Sequence, residues 1–145
     1  MLTTGAQAPT FSAQTLAGQR VTFPDDFQGK LVLLDFLATW CGPCKAELPH
    51  VVAAYDKLKA RDFEIIGVTL DATQGVTADR AARFIADHKL TWPQVYGDAA
   101  AIAERYGVTG IPEAFLIDAS SGKIVASGSE LRGGALATTI EKHLK

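Results

Sequence analysis

The run Leu31-Val32-Leu33-Leu34-Asp35-Phe36-Leu37 constrains the fold of this chain more than any other stretch. It is far too short to span a membrane. With one charge among seven residues it reads as a buried strand. A second run of the same kind, Phe63–Leu70, ends at Asp71. Between the two, Leu48, Val51, Val52, Tyr55 and Leu58 recur at helical spacing, which predicts a helix from Cys44 to about Arg61. Pro49 falls inside that pattern and predicts a kink there instead of a break, with a backbone bond lost one turn earlier.

The alternation continues along the chain and argues for an α/β or α+β domain around a largely internal sheet. Phe11–Thr15 and Arg20–Phe23 flank Ala17-Gly18 and predict a small N-terminal hairpin. Thr77–Lys89 reads as a helix with Ala81, Phe84 and Ile85 on one face and Arg80, Arg83 and Asp87 toward water. An extended piece is expected at Thr91–Tyr96, then a helix capped by Asp98 and running to Tyr106, where Gly107 stops it. Ala114–Ile117 and Ile124–Ser129 predict a hairpin around Ser120-Ser121-Gly122, and Gly134–Leu144 a closing helix that buries Leu136, Ile140 and Leu144. At 145 residues with no repeats or linkers, one domain spanning residues 1–145 is expected.

A net charge of −2 with no basic cluster gives the chain nothing with which to recruit nucleic acid or an anionic membrane. The start Met1-Leu2-Thr3-Thr4 shows no signal-peptide pattern. A cytoplasmic protein or the mature part of an exported one both fit.

The chain's only two cysteines lie in Trp40-Cys41-Gly42-Pro43-Cys44-Lys45, directly after the first apolar run. A disulfide ring this short removes little entropy from the unfolded chain, so a structural staple is a poor explanation. A closed zinc site wants four ligands, and a second cysteine pair or close histidine pair is absent; His50, His88 and His143 are scattered and read as surface residues. A cysteine at a helix N-terminus, in contrast, meets unpaired N–H groups and the positive end of the macrodipole, which favour the thiolate. Pro43 gives up no needed N–H in the first turn and fixes the bend, and Gly42 lets the chain turn without a Cβ clash. The two sulfurs can then interconvert between dithiol and disulfide.

Asp35 is the one charge in the first strand, six positions before Cys41. A buried carboxylate without a partner has a raised pKa, which suits a group that takes a proton from Cys44. Local N–H groups capping a purely structural Asp35 is the alternative. Thr109-Gly110-Ile111-Pro112 precedes the strand at Glu113–Ile117, and an X-Pro bond there is a candidate for cis.

Leu33–Lys45, followed by Gly110-Ile111-Pro112 and Phe115-Leu116-Ile117-Asp118, resembles the thioredoxin superfamily over about Gly5 to Leu144. The N-terminal hairpin and the helical insertion at Thr77–Lys89 make it most similar to the TlpA/ResA/DsbE-type branch. The resemblance implies a thioredoxin-like α/β fold, a central mixed sheet flanked by helices. It also implies a bacterial thiol-disulfide oxidoreductase, often extracytoplasmic. Cys41 would be the attacking thiolate, Cys44 the resolving thiol and Asp35 the acid that assists it. Pro112 would be a cis-proline opposite the cysteines, with Ile111 pairing its backbone to an extended substrate. Trp40, Gly42 and Pro43 would shape the contact surface. No metal and no cofactor beyond the dithiol are implied; the partners would be protein thiols or disulfides and an upstream thiol reductant, and the chain a monomer.

The sequence departs from the pattern at three places. Leu37 stands where many relatives carry a second Trp. Gly67 replaces the lysine that lies near the buried acid in typical thioredoxins. Glu113 follows Pro112 where Thr is common, similar to the cytochrome c maturation branch; as a substrate-binding residue it would repel acidic partners or contact a specific one, although a solvated strand end is the simpler reading of it. A peroxidase of the peroxiredoxin type is a rival, but its motif needs Pro and Thr or Ser where this chain has Leu34 and Ala38. A module that binds a partner or a metal without turnover is a second rival, and the presence of both cysteines argues against it.

Overall fold

The computed structural model describes residues 2–145. The chain opens with the expected hairpin, β1 (Phe11–Gln14) antiparallel to β2 (Arg20–Phe23). The two apolar runs become adjacent parallel strands, β3 (Leu31–Leu37) and β4 (Phe63–Thr69), joined by helix α1 (Gly42–Leu58). Helix α2 (Ala78–Asp87), the two-residue strand β5 (Gln94–Val95) and helix α3 (Ala99–Arg105) follow. Strands β6 (Glu113–Asp118) and β7 (Lys123–Ser127) and helix α4 (Ala135–His143) complete the chain. The main sheet is mixed, in the order β5-β4-β3-β6-β7, with β6 and β7 antiparallel to their neighbours.

Every residue of β3 is buried, because the sheet has an apolar layer on each face. Val32, Leu34 and Phe36 point to a layer with the hairpin's Phe11 and Phe23 and with Tyr106 and Phe115. Leu31, Leu33 and Leu37 point to the opposite layer, with Cys41, Cys44, Leu48 and Val51 from the start of α1. By alternation Asp35 faces that second layer, the side covered by α1.

The N-terminal segment also touches both margins of the sheet. Gly5 and Ala6 exchange backbone hydrogen bonds with Ile124 of β7, and Leu16 donates to the carbonyl of Gln94 in β5.

Several boundaries differ from the sequence reading. Helix α1 begins at Gly42 and continues through Pro49. The second apolar strand stops at Thr69, and Leu70–Gln74 forms a 3-10 turn holding Asp71. Only Gln94 and Val95 of the expected extended piece pair with β4, so the strand is much shorter. Asp98 does not cap α3 through its side chain; its carbonyl receives the Ile102 N–H instead. Gly107 ends that helix with φ +68°, and the bonds Val108 N–H to Ala103 O and Gly107 N–H to Glu104 O close a Schellman turn. Helix α2 ends in the same way, with Lys89 at φ +59° where glycine is usual.

Candidate active site

Cys41 is the N-cap of α1, and its Sγ accepts the Cys44 backbone N–H at 3.1 Å. The two cysteines are joined as a disulfide with their Cα atoms 5.2 Å apart. Pro43 sits in the first turn, where its missing N–H leaves no bond unmade. In the reduced protein the same N–H and the helix terminus favour a thiolate on Cys41. Both cysteines are buried, while Gly42 and Pro43 are exposed. Trp40, beside them, is the one exposed large apolar side chain among the described residues, at 47 %.

Asp35 lies under this helix start, 9 % exposed. Burial, with the Glu47 carboxylate as a second and smaller cause, pushes its pKa from the ordinary 3.8 up to about 7. Asp35 lines a small cavity with Leu33, Glu47, Val51, Pro112, Glu113, Ala114, Leu131 and Arg132. The cavity has a volume of about 20 Å³, which is room for about one water.

The Ile111–Pro112 peptide bond is cis. Ile111 is half-buried and packs against the layer that holds both cysteines. Glu113 is not a solvated strand end. It is 9 % exposed and its Oε1 accepts the Ala114 N–H at 3.0 Å, which keeps the carboxylate at the start of β6 instead of releasing it to water. Thus the fold gathers Asp35, Pro112 and Glu113 around one cavity, with the cysteines and Ile111 in the adjoining apolar layer. His50 and His88 are exposed as expected, and His143 is half-buried.

Three polar residues near this site escaped the sequence reading. Glu47 accepts the Gly133 N–H at 2.9 Å, and Arg132 donates to the Pro112 carbonyl at 2.6 Å. Together they tie the segment before α4 to α1 and to the cis-proline. Glu47 was open to discovery, since it stands three positions after Cys44, on the helix face that meets the sheet. Asp71 is fully buried, and its carboxylate accepts from the Thr39 N–H (2.8 Å), the Thr39 hydroxyl (3.0 Å) and the Thr69 hydroxyl (3.3 Å). It thereby pins the turn that leads into Trp40 and Cys41.

Among the described residues, no three His, Cys, Asp or Glu side chains gather as a metal site would need. Leu34 and Ala38 are buried apolar residues, so neither supplies the ring or hydroxyl of a peroxide-activating pocket.

A family model described as "AhpC/TSA family" matches residues 4–127. The chain belongs to the AhpC/TSA family. It is similar to the thiol-disulfide oxidoreductase ResA of Bacillus thuringiensis subsp. konkukian, 33 % identical over 141 residues, covering 97 % of this chain and 76 % of that protein. Its fold matches the thioredoxin domain of a thiol-disulfide oxidoreductase from Bacteroides vulgatus with a TM-score of 0.87 and 35 % identity, over 100 % of both chains. A thiol:disulfide interchange protein from a Bacteroides species matches with a TM-score of 0.84 and 36 % identity, over 99 % of this AhpC/TSA-family chain and 91 % of the other.

Proposed function

We infer that this chain works as a one-domain enzyme whose Cys41–Cys44 pair exchanges disulfides with protein substrates. It is a thiol-disulfide oxidoreductase. The observation that carries this is the redox pair seated on the N-terminus of α1, with a backbone N–H on the Cys41 sulfur.

In the reductive direction the Cys41 thiolate attacks a substrate disulfide. A Cys41–substrate disulfide forms, and the other substrate sulfur leaves as thiolate. Asp35 takes the proton from Cys44, and a carboxyl that titrates near 7 is suited to this at neutral pH. The Cys44 thiolate then attacks Cys41 Sγ and expels the second substrate thiolate. The substrate gains two electrons from the dithiol; its two thiolates take up one proton released from Cys44 by way of Asp35 and one from solvent, and the enzyme is left as the disulfide. A separate thiol reductant restores it.

Trp40, Gly42 and Pro43 form the exposed contact surface around Cys41, and the Ile111 backbone beside Pro112 pairs with an extended substrate segment. The Glu47 carboxylate adds to the effect of burial in raising the Asp35 pKa. A monomer acting outside the cytoplasm is the setting that the similarity to ResA-type proteins favours. No helix among the described residues is long and apolar enough to cross a membrane.

The test is a Cys44→Ser trap expressed in the native host. Discrete proteins captured on Cys41 as mixed disulfides, and lost in Cys41→Ser, are the expected result. A wild-type protein that binds a partner while neither variant captures one covalently would refute exchange.

A further inference from the structure

Gln94 is only 3 % exposed, and neither end of its carboxamide makes a hydrogen bond. Buried polar side chains with both ends unpaired are uncommon in folded proteins. The position of this one relative to the redox site is specific. Asp35, Gly67 and Gln94 stand in register on the adjacent strands β3, β4 and β5. Leu33, Ile65 and Trp92, two residues before each of them, all belong to the layer that contains the cysteines. By alternation the three positions face that layer too.

The Gln94 side chain does not stand over its own strand. Its Oε1, Cδ and Nε2 fill the space that a Cβ on Gly67 would need. Gly67, the residue between Gln94 and Asp35, contributes no side chain of its own. Neighbouring strands lie about 4.8 Å apart, so the carboxamide sits roughly one strand spacing from the Asp35 side chain. Across that gap a small side-chain rotation or one bridging water would connect them.

We propose that Gln94 is a positioning residue for Asp35, reaching across Gly67 so that its carboxamide serves as the hydrogen-bond partner of the Asp35 carboxyl. The proposal rests on Asp35 being the proton acceptor for Cys44. An amide suits this task because its N–H donates to the carboxylate and its C=O accepts from the acid. The other charged groups around the Asp35 cavity are Glu47 from α1, Glu113 from β6, and Arg132 from the segment before α4; Cys44 lies in the adjoining apolar layer, and β4 presents Gly67 in register. N–H donation favours the charged carboxylate, opposing Glu47 and burial.

The coupling is read first in the unmodified disulfide form, where neither cysteine titrates. The Gln94 side-chain N–H resonances and the Asp35 carboxyl carbon are followed by NMR from pH 5 to 9. A common midpoint is expected, and Asp35→Asn removes the titration of Gln94. Gln94→Met keeps the length and removes both hydrogen-bonding atoms. It is expected to move the Asp35 midpoint alkaline by roughly 0.5–1 pH unit. The acid limb of the Cys44 resolving rate then moves equally, a loss of about 3–10-fold at pH 6.

Gln94 resonances that ignore the Asp35 titration overturn the proposal, whether or not Gln94→Met folds. So does an unmoved Asp35 midpoint in a folded Gln94→Met. A shared midpoint combined with a resolving rate indifferent to Asp35→Asn supports the pairing and instead overturns Asp35 as proton acceptor.

Discussion

Replacing Asp35 by Asn turns the burial of this carboxyl into a measurable stability. In the unfolded chain the group titrates near 3.8, and in the folded protein near 7. Between those limits the folded protein holds a proton that the unfolded chain has released. The contribution of Asp35 to stability is therefore highest below pH 3.8, falls as pH rises, and levels off above 7. Each pH unit in that window removes about 1.4 kcal/mol, so the full loss is on the order of 4 kcal/mol. That is a large share of the roughly 5–15 kcal/mol that holds a typical domain folded.

The amide introduced by Asp35→Asn would be neutral at every pH. It can leave a buried polar group unpaired, but that cost is the same across the pH range. The difference between the two proteins carries the test, because the other carboxyls titrate in both and cancel. Denaturant unfolding of the disulfide form at pH 4, 6 and 8 is expected to show Asp35→Asn gaining on the wild type by about 3–4 kcal/mol from pH 4 to pH 8. A difference that stays flat from pH 4 to 8 would refute the claim that burial raises the Asp35 pKa in the folded protein. The same substitution is expected to slow resolution of the mixed disulfide, so stability and catalysis should move in opposite directions.

Glu47→Gln removes the nearby negative charge, so the Asp35 midpoint is expected below 7 and the acid limb of the Cys44 resolving rate at lower pH, checked by carboxyl NMR and stopped-flow. Asp71→Ala strips the partners from the Thr39 N–H and from the Thr39 and Thr69 hydroxyls; about 2–4 kcal/mol of stability is expected to go, read by denaturant unfolding. Trp40→Ala is expected to leave unfolding within about 0.5 kcal/mol of wild type, since the side chain is exposed. Its effect should instead appear as slower attack of Cys41 on a disulfide-bonded peptide.

The elements legible in the sequence are those whose cause is local. The two apolar runs became β3 and β4 because no alternation leaves them a wet face, and Gly107 stopped α3 through its own left-handed backbone. The cysteine pair announced its chemistry through its place between a strand and a helix. Glu113 was misjudged because a carboxylate beside proline gives no local sign of being enclosed. Glu47 and Asp71 owe their roles to partners distant in the chain: Gly133 lies 86 positions from Glu47, and Thr39 lies 32 from Asp71. The shortness of β5 was likewise not local, since only Gln94 and Val95 find partners, Gly67 and Val68, on β4. Lys89 closes α2 in a conformation that composition would have assigned to glycine.

The N-terminal strap has a consequence for which polypeptides this molecule can take up. Sheet margins ordinarily invite any extended chain to pair. Here one margin is occupied by Gly5 and Ala6 and the other by Thr15 and Leu16, all from the same short segment. Fastening both sides with one piece of backbone makes the sheet a poor host for stray strands, whether from unfolded proteins or from other copies of itself. Intruders are thereby denied the generic route, which on the proposed reading leaves the loop of Ile111 and Pro112 as the place where a client docks. A thiol-disulfide oxidoreductase built in this way is guarded against being captured by extended chains.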